Sequence, residues 1–202
     1  MKQKSFILLF LLGSLVLPGI SGGGAQAQTA PAAADTPRWA LGSNLLSWAT
    51  LAPALGAEVY LCRRWSVAAD ASFGMWGYGH TTHAVQTWSV GGEARYWLQA
   101  GRHGFRRTHI GLSVRGGEFD ENFLSDGRRG SALMAGPTLG YRFWLPGRWR
   151  VDAGLGAGYI RVEYDSYFYN RRFGTYEQKG DRRTRHLLGL TDLHVSLVYC
   201  FP

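Results

Sequence analysis

Asp192, His194 and Ser196 recur at two-residue intervals close to the C-terminal end of the chain, and acid, base and nucleophile are the residue types of a hydrolytic relay. On an extended strand this spacing places all three on one face. Same-face neighbours then rise about 6.6 Å apart, against the roughly 3 Å contact that base and nucleophile need, so a relay needs completion from another strand. His80 and His83, in the run His-Thr-Thr-His, offer imidazoles for a metal. No Cys or carboxylate lies beside them, so the pair reads as a solvated loop, and neither a metal nor a cofactor is expected.

A third group is basic. Arg171, Arg172, Lys179, Arg182, Arg183 and Arg185 crowd one stretch, with Tyr167, Phe168 and Tyr169 just before it. Guanidinium forks bind phosphate in a bidentate way, so the reading beside plain solvated charge is contact with a phosphorylated lipid surface or an acidic partner. Nucleic acid is not expected, because the chain carries no binding motif for it.

These groups need elements to hold them. Met1 to Lys4 carries two lysines, Ser5 to Leu17 is apolar and Ala25-Gln26-Ala27 offers small residues for cleavage, so residues 1–27 read as a secretory signal peptide. Removing 27 of 202 residues leaves 175, and losing Lys2 and Lys4 takes the formal charge from +8 to +6. Residues 28–38, rich in Ala, Thr and Pro, read as a flexible periplasmic lead-in. Residues 39–202 then form one domain. No later stretch approaches the roughly 18 unbroken apolar residues of a transmembrane helix.

Period-two alternation runs through that domain instead. Leu193, Val195, Leu197, Tyr199 and Phe201 oppose Asp192, His194, Ser196 and Cys200, with an aromatic ending. The same pattern predicts strands over Trp39–Trp48, Leu55–Cys62, Trp65–Trp76, Gln86–Leu98, His109–Gly117, Ser131–Leu145, Trp149–Tyr164 and Leu190–Phe201. Glu118–Gly130 and Asp165–His186 read as charged loops, and Pro137 predicts a bulge or gap within its strand. The expected fold is all-β: an eight-stranded antiparallel up-and-down transmembrane β-barrel with a polar lumen. Glu58, Asp70, Glu93, Arg95, Arg115, Arg142, Asp152, Asp192 and His194 fall on the inward face as a charge network. Arg142 and Asp152 face each other across the turn Pro146-Gly147-Arg148. Cys62 and Cys200 fall on strands that flank the first one, about two strand spacings or 10 Å apart, too far for a disulfide.

Aromatic placement separates a membrane barrel from a soluble one, which turns its apolar face inwards. Trp39, Trp65, Trp97, Trp144, Trp149 and Phe201 fall at one rim, and Trp48, Trp76, Tyr78, Trp88 and Tyr164 at the other, as two girdles.

Together these residues resemble a known family, the small outer-membrane barrels of the Bacteroides group described only as domain of unknown function 3575. The resemblance rests on Trp39-Ala40-Leu41 with Asn44-Leu45-Leu46, on Leu55-Gly56-Ala57-Glu58 before Arg64-Trp65-Ser66, and on Glu93-Ala94-Arg95-Tyr96-Trp97. Gly136 with Gly140-Tyr141, Arg148-Trp149 and Gly156 to Asp165 complete it. It implies an outer-membrane address and no known activity.

The expected function is a non-catalytic structural or surface-interaction role in the cell outer membrane. The partners are outer-membrane lipid, lipopolysaccharide and, during insertion, the barrel-assembly machinery, and the chain is expected to be a monomer. Two alternatives stay open: a hydrolase acting on lipid A or phospholipid, whose outer-membrane deacylases also carry a His-x-Ser pair, and a narrow pore.

Overall fold

A computed structural model describes residues 37–77, 83–99, 106–123, 126–170, 175–178 and 180–202. The proposed signal peptide, most of the lead-in, Tyr78, His80, Arg171, Arg172 and Lys179 lie outside the described residues.

The alternating segments form strands β1 (Trp39–Asn44), β2 (Ala54–Tyr60), β3 (Trp65–Gly77), β4 (His83–Trp97), β5 (Thr108–Phe123), β6 (Asp126–Trp144), β7 (Trp149–Asn170), β8 (Thr175–Gln178) and β9 (Arg183–Phe201). A one-turn helix, α1 (Leu45–Ala49), interrupts the first hairpin. Each strand pairs antiparallel with the next through β7, β7 pairs with β9, and β9 pairs with β1. The sheet therefore closes into a ring of eight strands, as the sequence predicts, with β8 added outside the ring on the far end of β7. Closure removes the exposed edges that an open sheet presents.

Side-chain parity is inverted relative to a water-soluble barrel. On β3, Val67, Ala69, Ala71, Phe73 and Met75 are exposed, while Ser66, Ala68, Asp70 and Ser72 are buried or half-buried. On β5 the outward Ile110, Leu112 and Val114 alternate with the inward His109, Gly111, Ser113 and Arg115. Leu112 is 65 % exposed, whereas Arg142 is 2 % and Asp152 1 % exposed.

Pro137 acts as its chemistry requires. On the β7 side the ladder runs to Ala135↔Tyr159 and resumes at Thr138↔Gly156, so the pairs at Gly136 and Pro137 are missing. The irregularity continues sideways. Between Gly156↔Asp192 and Ala157↔Leu190 the next seam shifts register, leaving Thr191 as an unpaired, buried extra residue on β9. Such a bulge swaps the facing of what precedes it. Leu188 and Leu190 point outwards with even numbers before it, and Leu193 with an odd number after it.

Three expectations are corrected. Glu118–Gly130 is no loop: β5 and β6 pair through it from Glu118↔Ser131 to Phe123↔Asp126. Asp165–His186 likewise belongs largely to β7, β8 and β9. Above the apolar belt neither face of the sheet needs apolar residues, so strands there have loop-like composition. The first strand ends at Asn44, not Trp48, because the Asn44 side chain caps α1 by accepting from Leu46 N–H at 3.1 Å. The same Oδ1 accepts from Val195 N–H at 3.2 Å, tying the helix to β9. No helix among the described residues is long and apolar enough to cross a membrane.

Candidate functional site: a buried polar lumen

Inward parity on different strands gathers the nine residues of the predicted charge network around one axis. Arg142, on β6, donates through Nη2 to Asp152 Oδ2 at 2.7 Å and to Glu58 Oε2 at 2.8 Å. Arg95, on β4, donates to the same Asp152 oxygen at 2.9 Å and through Nε to Glu93 Oε2 at 2.7 Å. Glu58 Oε1 accepts from Ser66 Oγ–H at 2.6 Å, and Glu93 Oε1 from Thr138 Oγ1–H at 2.5 Å. Nearly every oxygen of these carboxylates is thus taken, as buried charge demands.

Towards the other rim Arg115 grips Asp70 with both Nη atoms, at 2.7 and 2.9 Å, and lies 3.7 Å from Asp192. Asp192 Oδ2 is 2.6 Å from His194 Nδ1. Between the two halves lies a cavity of about 90 Å³ lined by Asp70, Arg95, Arg115, Asp152, Asp192 and His194, among others. Its size and polar walls suit several waters.

Below the network the lumen is closed by aromatic rings. Trp97 is fully buried and donates to Ser66 Oγ at 2.8 Å, with the Arg142 guanidinium 4.6 Å from its ring centre. Trp144 donates to Arg106 O at 3.1 Å and carries Arg150 3.6 Å above its ring. Arg106 packs 4.4 Å over Tyr60. The predicted girdles are therefore corrected at three positions: Trp97 and Trp144 stand at the expected rim but face inwards, and Tyr164 of the opposite girdle is buried as well. The outer ring at that level is carried by Trp39 stacked on Phe201 at 3.9 Å, by Trp65 against Tyr96 and by Trp149 against Tyr199. At the opposite rim Trp88 and Trp48 are exposed, whereas Tyr164 is buried.

Cys62 and Cys200 are free thiols, as expected from the ring order, in which β2 and β9 flank β1. Cys200 is buried; Cys62 is exposed beyond the end of β2, not inward as its strand parity predicts.

Of the basic cluster, Arg182, Arg183 and Arg185 are described and exposed. Arg182 lies 3.3 Å from Glu163, and Arg185 stands over the Tyr164 ring. Arg183 and Arg185 belong to β9 and not to a loop, and Arg182 immediately precedes that strand. His83 starts β4, and the predicted His80–His83 pair lies partly outside the described residues.

One inward residue escaped the predicted network. His109 is fully buried, with Nε2 3.9 Å from Glu93 and Nδ1 3.9 Å from Asp152. Its strand was legible, and parity with Ser113 and Arg115 would have placed it inside.

No curated protein and no solved structure matches the chain. A family model described as protein of unknown function, DUF3575, matches residues 14–201, so the chain belongs to the DUF3575 family.

Proposed function

We propose that the chain is a β-barrel of the bacterial outer membrane, delivered by a cleaved signal peptide, with a structural or surface-interaction role and no catalysis. The inverted burial supports this reading. Leu41, Leu55, Val90, Leu112, Leu139 and Leu155 are all exposed while Glu58, Arg95, Arg142, Asp152 and His194 are buried. In water each such Leu or Val forfeits about 1.5–3 kcal/mol of burial, and only an apolar surrounding returns it. A closed ring also satisfies the rule that lipid-exposed backbone must find its own partners. The stacked aromatic rim adds interfacial anchors.

A barrel of eight strands has room for little beyond side chains, and the Arg142–Glu58 and Arg95–Asp152 contacts span that space, which weighs against conduction. Arg183 and Arg185 at the start of β9, with Arg182 just before it, provide forks for lipopolysaccharide phosphates or an acidic partner. The membrane reading is tested by fractionating cells that express the full chain. The protein is expected in outer-membrane fractions, resistant to carbonate and running faster on gels before boiling than after. A stable, detergent-free soluble protein would overturn it.

The hydrolase reading has one observation in its favour, the Asp192–His194 pair with His194 Nε2 left without a hydrogen bond. No hydrogen bond joins His194 to Ser196 among the described residues. Mass spectrometry of lipid A and phospholipids from cells with and without the gene separates this reading from the structural one.

A further inference from the structure

His109 on β5, Gly140 on β6, Gly154 on β7 and His194 on β9 are consecutive cross-strand partners, a single row across the inner face of the ring. Three strand spacings, about 14 Å along the sheet, separate the two histidine backbones. Their rings approach each other because the wall curves and because the two positions between them carry no side chain. A Cβ on Gly140 would lie 2.3 Å from His109 Cε1, and a Cβ on Gly154 2.6 Å from His194 Cε1. Asp152, two residues before Gly154 on the same face, completes the group.

One nitrogen from each histidine and one carboxylate oxygen of Asp152 lie within 4.8 Å of one another, and all three residues are buried. The approach of His109 Nδ1 to Asp152 Oδ1, 3.9 Å, is too long for a hydrogen bond. Both His109 nitrogens, Asp152 Oδ1 and His194 Nε2 are in fact without hydrogen-bond partners among the described residues. Buried polar atoms are normally paired, and three of these, one from each residue, lie close enough to share a common partner.

The surroundings orient these atoms as metal ligands are oriented. Asp192 Oδ2 accepts from His194 at Nδ1, which leaves the Nε2 lone pair facing the site, the carboxylate–histidine arrangement that supports metal-bound imidazoles. Arg95 and Arg142 hold Asp152 by Oδ2 only, leaving Oδ1 to the site. Charge fits as well. Glu58, Asp70, Glu93, Asp152 and Asp192 outnumber Arg95, Arg115 and Arg142 in the network. The other buried arginines, Arg106 and Arg150, bond main-chain carbonyls at the rim.

We infer that His109, Asp152 and His194 form a binding site for a single divalent cation of the zinc class. Two imidazoles and one carboxylate are a nitrogen–oxygen donor set for such an ion, and bonds of about 2.0–2.2 Å in tetrahedral geometry draw the His109–Asp152 pair roughly half an ångström closer and the widest pair of donors by up to about 1.4 Å. Asp152 and His194 line the central cavity, so the fourth position opens onto space for water. Sequence spacing does not reveal this site: the His-Thr-Thr-His run has no carboxylate beside it, and the buried pair is separated by 85 residues, since 194 − 109 = 85.

The full chain, folded in detergent, is stripped with a chelator, loaded with Zn²⁺, dialysed and assayed for metal per chain. A parallel Co²⁺-loaded sample reports ligand type from its visible spectrum. One Zn²⁺ per chain is expected, with a nitrogen–oxygen, sulfur-free Co²⁺ spectrum and a raised melting temperature. Losing a supporting outer-shell group costs about 10–100-fold in affinity, so losing a ligand in His109→Gln or His194→Gln should cost at least the upper end of that range. Cys62→Ser, His186→Gln and the double change His80→Gln with His83→Gln should leave binding unchanged. A wild-type chain that dialyses to a metal-free state overturns the site, as does binding lost in the His80 and His83 double variant or the Cys62 variant but kept without His109 or His194. If the ligand variants do not fold, the wild-type stoichiometry and spectrum, read against the three controls, decide alone.

Discussion

Arg142 and Asp152 are direct cross-strand partners on β6 and β7, and their side chains meet at 2.7 Å inside the ring. The turn between them, with Gly147 at φ +74°, fixes that register. Both residues serve other partners: Arg142 reaches Glu58 and Tyr60, and Asp152 reaches Arg95. The pair is therefore a junction, where removing one member strands several charges.

The expected outcome of a double-mutant cycle follows from that arrangement. Arg142→Met or Asp152→Asn should each cost on the order of 3–5 kcal/mol, because each leaves an uncompensated buried charge. The double variant should cost clearly less than the sum. Urea unfolding in detergent or lipid vesicles measures all three, and strict additivity would deny the coupling.

Facing can be tested on β5 by neighbouring residues. Leu112 points outwards and Ser113 inwards, where its hydroxyl donates to Gly136 O at 3.4 Å. With the belt in lipid, Leu112→Arg at midplane depth should cost about 2–4 kcal/mol. The same change on a surface facing water would be within about 0.5 kcal/mol of neutral. Folding in vesicles, followed by the gel shift on boiling, reads the difference.

Much of the fold is legible in the sequence, and the parts that are not have physical causes. Alternation reports facing wherever one side is apolar, which is why Val67 to Met75 and Leu193 to Phe201 could be assigned. It is silent where both faces are polar, so the β5–β6 hairpin around Glu118 to Gly130 read as a loop. Level and facing are also separate facts: Trp97 and Trp144 stand at the predicted rim, but parity with Arg95 and Arg142 turns them inwards. Pairwise contacts across a turn, such as Arg142 with Asp152, follow from register alone. The meeting of His109 with His194 does not, since it depends on wall curvature and on two glycines on intervening strands.

The thiols give a prediction without any partner residue. Cys62 is exposed and Cys200 is buried beside Ala40 and Val198. A maleimide should label the folded chain once, at Cys62, and label twice after unfolding without reductant. No labelling of the unfolded, unreduced chain would mean a disulfide and a ring order other than β2–β1–β9.

The glycines beneath the imidazoles provide the sharpest local test, because other glycines of the same sheet serve as controls. At Gly116 and Gly92 an added Cβ would meet its nearest neighbour at 3.9 and 3.8 Å, ordinary contact distance. Alanine there fits, and its smaller unfolded-state entropy makes the change neutral or mildly favourable, by about 0.4–1 kcal/mol. At Gly140 and Gly154 the new methyl would lie 2.3 and 2.6 Å from ring carbons of His109 and His194. Those rings are buried among Trp97, Asp152 and Asp192 and cannot swing into solvent. Overpacking of this kind costs about 1–3 kcal/mol. Gly140→Ala and Gly154→Ala should therefore destabilise the barrel while Gly116→Ala does not, as measured by denaturant midpoints under one set of conditions. If all three midpoints coincide, the imidazoles do not lie over the glycine row.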